Sequence, residues 1–241
     1  MTTAFTMLAG EDRAPAPVAD RVTDELLQQR TIAIYGNAAH LPRLVNAPDL
    51  EYLWISGVNL RAAEALSQLT HLPRLAIYNY RLRDLKPLAP LVNLEHLLIC
   101  GCSFVRSLTG LESLMRLKRL LLFQLTDYRT IQPLSELTAI EALCIQGAWS
   151  KNLRIDTLQP LAALTRLDEL CLAAIRVTDK SLRPLHDLHR LRHVFISDVF
   201  PKEEFLALAQ ALPNARGEWL DTYRAGRRPG VPPAISSTNR E

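Results

Sequence analysis

A short apolar spacing recurs along most of the chain at intervals of 22 to 27 residues. It consists of an aliphatic residue, a second one three positions later and a third one five positions later. Seven clear copies begin at Leu50, Leu72, Leu94, Leu117, Ile140, Leu167 and Leu191. A degenerate copy is predicted at Gln29 and a closing one at Ala215. Recurrence at a nearly constant period indicates a repeat architecture, in which each unit buries its apolar face against its neighbours.

Four prolines keep the same phase as the repeats. Each stands in a Pro-Leu pair seven residues before the next repeat begins, at Pro87, Pro133, Pro160 and Pro184. The fixed φ of proline and its missing amide donor suit the first turn of a short helix. Each repeat therefore predicts a strand, an ascending loop and a short helical or 3₁₀ segment that returns along the back. The 45 leucines among the 241 residues would fill the interior of such a stack.

The repeats resemble leucine-rich repeats, and their L-x-P-L-x-x-L-x-x-L segments are similar to the 22-residue class of bacterial internalins. The resemblance covers about residues 28 to 222. It implies an α/β fold, a right-handed horseshoe-shaped solenoid with a parallel β-sheet on the concave face and short helices or 3₁₀ turns on the convex face. The family usually has asparagine or cysteine at the ninth repeat position, where the side chain bonds neighbouring loop backbones. This chain has Val58, Tyr80, Cys102, Leu125, Ala148, Ile175 and Val199 there, so an asparagine ladder is absent and the loop backbone groups need other partners.

The sequence predicts one repeat domain, residues 20–225, between two tails. Residues 1–19 and 226–241 are rich in Pro, Ala, Ser, Thr and Arg and have little hydrophobic periodicity. Such segments cannot bury enough apolar surface to offset the entropy of ordering. Both tails are therefore predicted to be disordered.

Both ends of an open stack expose the core unless a cap covers them. Residues 20–30 carry Val22, Leu26 and Leu27 behind a possible N-cap at Asp20, and they predict an N-terminal capping helix. Residues 202–212 predict the last convex helix, with three inward side chains. These are Phe205, Leu208 and Leu212.

The repeat positions that face away from the core are nearly free of charge. Side chains alternate along a strand, so positions one, four and six face the core and positions five and seven face outward. In the seven clear repeats the outward positions hold Trp54, Ser56, Ala76, Tyr78, Leu98, Cys100, Leu121, Phe123, Cys144, Gln146, Cys171, Ala173, Phe195 and Ser197. We call these fourteen residues the concave strip. Eleven of them are apolar or aromatic and none is charged, although 22% of the chain is charged.

A contiguous apolar strip on a protein surface usually marks an interaction site, and aromatic residues are frequent anchors there. A foreign protein is the preferred occupant, and a tail or a second copy of the chain is the alternative. An insertion in the longest repeat adds Trp149 at a protruding loop. Partner contacts are predicted at Trp54, Tyr78, His96, Leu98, Arg119, Leu121, Phe123, Gln146, Trp149 and Phe195.

Charged residues at positions two and three border the strip, and their signs vary from repeat to repeat. Glu95, Lys118 and Glu141 follow one another at position two, for example. Ion pairs between neighbouring strands explain most of them, each worth about 0.2–1 kcal/mol. A polar rim that selects a charged partner is the other interpretation.

The bulk properties exclude some partners and predict a compartment. The formal net charge of +3 is too small to indicate nucleic-acid binding without a clustered basic face, and the basic residues are scattered along the sequence. No apolar run approaches the length that spans a bilayer, and the N-terminus lacks the features of a secretory signal. The four cysteines lie inside repeats and not in cysteine-rich flanking caps. Without a secretory signal, they are expected to be free thiols, as is usual in a reducing cytosol. We therefore expect a cytoplasmic protein without nucleic-acid or membrane partners.

No motif predicts catalysis or metal binding. A shallow sheet lacks the water-excluding pocket that catalysis generally needs. Three thiols, Cys100, Cys144 and Cys171, share the concave face and raise the question of zinc. Two strand spacings would separate Cys100 from Cys144 by roughly 10 Å, which is too far for a shared zinc ion. Neither a cofactor nor a metal site is predicted.

The sequence thus predicts a non-catalytic bacterial protein-binding module. An inhibitor or immunity-type role is the leading interpretation, because blocking an active site requires only a complementary surface. A bacterial effector or regulatory scaffold acting on host or cellular proteins is the alternative. An inhibitor should form a stoichiometric complex with one enzyme, whereas a scaffold should bind several proteins. The oligomeric state stays open.

Overall fold

A parallel β-sheet with one strand from each repeat dominates the structure. The computed structural model describes residues 17–126, 129–148 and 151–225. Within these ranges, the strands are β1 (Ala19–Arg21), β2 (Thr31–Ala39), β3 (Tyr52–Ser56), β4 (Arg74–Tyr78), β5 (His96–Cys100), β6 (Arg119–Leu125), β7 (Ala142–Gly147), β8 (Leu153–Ile155), β9 (Glu169–Ala173), β10 (Ile175–Val177) and β11 (His193–Ile196). Nine of them form one sheet in the order β1-β2-β3-β4-β5-β6-β7-β9-β11, and β8 pairs with β10 in a second sheet.

Strands of successive repeats pair at the positions that the sequence period predicts. The fourth residue of one repeat lies opposite the fourth of the next, as Leu75 lies opposite Leu97 and Leu97 opposite Leu120. The degenerate first repeat follows the same rule, since Ile32 of β2 pairs with Leu53 of β3. The closing repeat is reduced to a single parallel bridge between His193 and Arg216. The repeat architecture read from the sequence is confirmed.

The core lies between this sheet and a row of short turns behind it. Core-facing strand residues such as Leu53 and Leu120 are fully buried, and so are the aliphatic residues of the turns, such as Leu88 and Leu134. Each fully buried leucine contributes about 1.5–3 kcal/mol relative to an exposed one. Stability therefore comes from the leucines that the repeats place on the inner face.

The back of the stack consists mainly of 3₁₀ turns. They span Leu41–Asn46, Lys86–Leu88, Leu111–Ser113, Gln132–Glu136, Gln159–Ala163 and Arg183–Leu185. Proline opens the turns that contain Pro87, Pro133, Pro160 and Pro184, as predicted from its phase. With seven residues from each proline to the next repeat, there is room for one turn and little more. The repeat that begins at Leu50 has no proline at this position and forms α1 (Leu60–Leu66) instead, and the Asn59 side chain caps it by accepting from the Ala62 N–H at 3.0 Å.

Most strands of the main sheet end at a residue with left-handed backbone. Position eight of five repeats has φ between 48° and 82°, at Gly57, Asn79, Gly101, Gln124 and Ala174. This conformation turns the chain out of the sheet and into the ascending loop. Backbone hydrogen bonds then join each loop to the next, for example from the Arg81 N–H to the Val58 carbonyl at 2.9 Å and from the Ala148 N–H to the Leu125 carbonyl at 3.1 Å. These backbone bonds supply the partners that the loop groups need in the absence of an asparagine ladder.

The N-terminal end differs from the sequence prediction. Residues 20–30 contain part of strand β1 and one 3₁₀ turn at Leu26–Gln28 instead of a capping helix. The reason is the edge of β2, whose backbone groups need partners and obtain them from parallel pairing with β1. Val22 and Leu27 are buried as expected. The domain limits stay predictions, because residues 1–16 and 226–241 of the predicted tails lie outside the described residues.

The C-terminal end is closed by two helices, α2 (Lys202–Ala211) and α3 (Glu218–Arg224). The helix predicted at residues 202–212 is confirmed, and Phe205, Leu208 and Leu212 are buried. The ring of Phe205 lies 5.4 Å from that of Tyr223 on α3, measured between centroids. Aromatic packing thus covers the last repeat.

Candidate functional site

A second apolar cluster lies on the sheet face opposite the core. Its centre is the inner row, which we define as the position-five residues of the concave strip. Apart from Phe195 at its C-terminal end, which is half-buried, the inner row is nearly closed to solvent, since Trp54 is 8% exposed, Leu98 7% and Leu121 5%. The side chains of the row pack against one another across neighbouring strands. The inner row therefore forms a floor with little free surface.

The outer row, defined as the position-seven residues of the strip, stands beside this floor. Tyr78 lies in register between Ser56 and Cys100, and Cys100 lies opposite Phe123. Tyr78 and Phe123 are half-buried, so their rings keep exposed surface. The ring of Tyr78 packs against that of Trp54 with centroids 5.0 Å apart and planes tilted by 30°. A partner would therefore meet the outer-row aromatic rings before the inner row.

The predicted contact residues divide into three groups. Trp54, Leu98, Leu121 and Gln146 are buried. Tyr78, His96, Arg119, Phe123 and Phe195 are half-buried. Trp149 lies outside the described residues, and an antiparallel bridge between Ala148 and Lys151 bounds its loop. Direct contact is best offered by the second group, and the first group supports it from below.

Position three forms a polar row along the other side of the strip. Tyr52, Arg74, His96 and Arg119 follow one another in register on β3 to β6. The guanidinium carbon of Arg74 lies 5.2 Å from the centroid of the Tyr52 ring, a cation–π contact. The next residues of the row, Ala142 and Glu169, carry no positive charge. Positive charge at this row is thus confined to its N-terminal half.

A groove of about 650 Å³ borders this row where the strands begin. Its lining mixes basic and acidic residues, among them Arg119, Arg166, Glu169 and Arg190. Two of the ion pairs expected from the sequence are present. Lys118 Nζ lies 2.8 Å from Glu95 Oε2, and Arg192 pairs with Asp168. The hydrogen bond from Lys118 lowers the pKa of Glu95.

Comparison with known proteins decides the fold family. No protein-family model matches the chain, and no curated protein sequence matches it. Among solved structures, internalin C2 of Listeria monocytogenes is similar, with 25% identity and a TM-score of 0.52 over 65% of this chain and 67% of that chain. A leucine-rich-repeat protein of Leptospira interrogans superposes with a TM-score of 0.61 at 15% identity, over 82% of this chain and 50% of that one. The chain has a leucine-rich-repeat fold.

A second internalin of L. monocytogenes is also similar to this chain. It shares 19% identity and a TM-score of 0.52, over 76% of this chain and 59% of the other. Likeness at this level supports the architecture and assigns no binding partner. The face opposite the leucine core corresponds to the concave face that the resemblance implied.

One group of charged residues, in the ascending loops, was not predicted from the sequence. Eight exposed basic side chains lie in the described loop residues 79–85, 101–108, 124–126, 129–131, 148, 151–158 and 174–182. Six are arginines, Arg81, Arg83, Arg106, Arg129, Arg154 and Arg176. The lysines are Lys151 and Lys180. We call these eight residues the basic flank. Repeat phase was the available signal, because Arg83, Arg106 and Arg129 each stand two residues before a buried aliphatic residue.

The structure also describes the state of the four thiols and the character of the helices. None of the four cysteines forms a disulfide, and Cys144 lies in register with Cys171. Burial raises the pKa of the Cys102 thiol above its ordinary value, so that thiol stays protonated. Across the described part of the chain, no three His, Cys, Asp or Glu side chains are placed to share a metal ion. No helix in that part has the length and apolar character needed to cross a membrane.

Proposed function

We propose that this chain is a non-catalytic binding module that captures a protein partner on its concave strip. The observation that carries the proposal is an uncharged strip of fourteen residues running across seven consecutive repeats. Half-buried aromatic rings at Tyr78, Phe123 and Phe195 stand on it. The buried centres of protein interfaces are depleted in charge and enriched in aromatic residues, as this strip is.

The dimensions of the strip suit a protein rather than a small ligand. Seven strands spaced by about 4.8 Å extend over roughly 30 Å. Small-molecule sites are concave and enclose most of their ligand, whereas the inner row forms a closed floor. A face of this length, with polar residues at its border, matches the anatomy of a protein interface, which has an apolar core and a polar rim.

The finer assignment that we propose is an inhibitor or immunity-type protein of the bacterial cytoplasm. An extended surface without chemistry of its own can block the active site of an enzyme by covering it. The effector or scaffold role is the competing assignment. Stoichiometry separates the two, because an inhibitor forms a one-to-one complex with a single enzyme and abolishes its turnover.

The test is affinity capture from the native host with four baits. They are the wild type, Tyr78→Ala/Phe123→Ala, and the matched control Val92→Ala/Met115→Ala, with an empty resin as the fourth. Val92 and Met115 are 47% and 65% exposed and lie outside the strip. We expect one dominant protein on the wild type and on the control, and its loss from the strip variant. Circular dichroism should show that the strip variant remains folded.

Equal recovery on all three protein baits would contradict the proposal. Such a result would mean that the strip is not the binding surface. If the strip variant alone is unfolded, the single substitution Tyr78→Ser, which leaves Phe123 in place, replaces it in the same comparison. Recovery of many proteins, each in small amount, would favour the scaffold over the inhibitor.

A further inference from the structure

The basic flank concentrates charge that the chain as a whole does not have. Its described loops contain eight basic residues and three acidic ones, Asp84, Asp156 and Asp179. A fourth acidic residue of this stretch, Asp127, lies outside the described residues. Removing those eleven charges from the chain's 28 basic and 25 acidic residues leaves 20 basic and 22 acidic. The positive net charge of the chain therefore resides on this edge.

Neighbouring coils place the basic residues next to one another. The Arg106 N–H donates to the Arg83 carbonyl at 2.7 Å, so these two residues lie side by side. Arg154 on β8 stands in register with Arg176 on β10, and both side chains are exposed. Like charges directly opposite each other on strands are destabilising. The fold thus holds these positive charges together at a cost in stability.

Two nearby carboxylates, Asp84 and Asp179, bond to backbone groups of their own loops. Asp84 accepts from the Lys86 backbone N–H at 3.2 Å, and Asp179 accepts from the Ser181 backbone N–H at 3.2 Å. Both carboxylates therefore cap turns. Within the residues that the structure describes, no carboxylate lies within ion-pair distance of Arg81, Arg154 or Arg176. These guanidinium groups are available to an external acid.

We propose that the basic flank binds an acidic surface of the same protein partner that the concave strip holds. This inference rests on the proposed function. The two surfaces adjoin, since Arg81 follows Tyr78 by three residues and Arg129 follows Phe123 by six. A protein seated on the outer row extends over the ascending loops. Arginine presents a planar fork of donors that matches a carboxylate, and complementary charge speeds the encounter.

A protein suits this edge better than a nucleic acid. Binders of single-stranded nucleic acid stack successive bases on several aromatic side chains. Among the described loop residues of the flank, Phe104 is the one aromatic residue that is exposed, at 56%. The basic residues of the flank are nevertheless clustered and not scattered, so nucleic-acid binding is tested as well, with an oligonucleotide.

The first experiment needs no identified partner. A fluorescein-labelled peptide of twenty glutamates serves as the acidic probe, and its binding is followed by anisotropy at low salt. The variant Arg154→Glu/Arg176→Glu reverses two charges of the flank. The matched control, Arg166→Glu/Arg190→Glu, makes the same change at two exposed arginines one repeat apart on the opposite edge of the strip. We expect the flank variant to lose about tenfold or more in affinity and the control about twofold or less.

Three results would overturn the inference. In the first, the glutamate peptide does not bind. In the second, the flank variant and the control weaken its binding equally. In the third, a twenty-nucleotide oligothymidylate binds although the peptide does not. The last result would assign the flank to nucleic acid. Failure of the proposed function gives a different outcome, in which the peptide still binds in a flank-dependent manner while the Tyr78→Ala/Phe123→Ala bait loses no protein.

The captured partner provides the second experiment. Its association rate should fall steeply with salt for the wild type, and at low salt the flank variant should associate about tenfold more slowly than the control. The strip variant should act mainly on the dissociation rate. A partner that associates equally fast with flank variant and control contradicts the inference.

Discussion

The two faces of the sheet belong to the same strands and are both apolar, yet their side chains are buried by different neighbours. On the core side, Leu97 and Leu120 are covered by buried side chains of the turns behind the sheet, such as Leu111. On the concave side, Leu98 and Leu121 are also buried, but by their neighbours within the face, and no described element packs over them as a second layer. Apolar residues on the core side are thus required for folding. On the concave side we expect each of them to contribute less to the free energy of unfolding.

The most direct way to break this comparison is to truncate adjacent leucines of β6. Leu120→Ala should lower the free energy of unfolding by about 3–5 kcal/mol, because it leaves a cavity in a close-packed core. Leu121→Ala should cost about 2 kcal/mol or less, because Leu121 is buried by a single layer of neighbours and the space left by its side chain opens to solvent. Urea denaturation of the two variants checks this. Equal losses would show that the concave face is as enclosed as the core.

Two cysteines that are two residues apart sharpen the same comparison. Cys100 is half-buried in the outer row, whereas Cys102 is fully buried and its pKa is raised by burial. Iodoacetamide at mildly alkaline pH should therefore modify Cys100 about a hundredfold faster, since the thiolate is the reactive form. Peptide mass spectrometry of the native protein gives the ratio. Comparable labelling of Cys102 would mean that the core side opens readily.

Single charge reversal extends the comparison to the edge of the sheet. Arg176→Glu converts the repulsion with Arg154 into an attraction, so we expect a gain in stability of up to about 1 kcal/mol. The double variant restores like charges and should return to the stability of the wild type. Thermal unfolding of the single and double variants measures both changes. A destabilised single variant would argue that the two side chains do not approach each other.

The smallest effect is expected at the polar border of the strip. The pKa of Glu95 is lowered by its hydrogen bond with Lys118. The pair therefore contributes stability above the unfolded-state pKa of the glutamate, and that contribution is lost as pH falls through the lower folded-state value. Lys118→Ala should raise the Glu95 pKa toward its ordinary value in an NMR titration. An unchanged pKa would show that the hydrogen bond is not formed in solution.

Strand register and core were predictable because both follow from a period. Once the repeat starts are known, strict alternation assigns Leu53 and Ile55 to the core and Trp54 to the opposite face. The N-terminal cap was predicted with the wrong structure, because residues 19–21 form a strand only through pairing with β2. Sequence alone shows the apolar residues of that segment but not the edge that it completes.

The candidate surface was only partly predictable. Charge depletion identified the strip, but not which of its side chains remain exposed. Leu98 and Leu121 were predicted contacts and are nearly closed to solvent, because exposure depends on the size of neighbours in adjacent strands. The basic flank was missed because the loops differ in length. Their residues align only after each coil is placed on the next.

The main-chain bonds between ascending loops have a consequence for how such a protein can change. Coils are joined there mainly by amide and carbonyl groups, as between Arg81 and Val58, and side chains such as Thr126, which donates to the Ser103 carbonyl, add to these bonds. Every residue except proline supplies those groups equally. The exposed loop positions can therefore be rewritten one at a time, in nature or in the laboratory, to alter what is recognised while the architecture that displays them is retained.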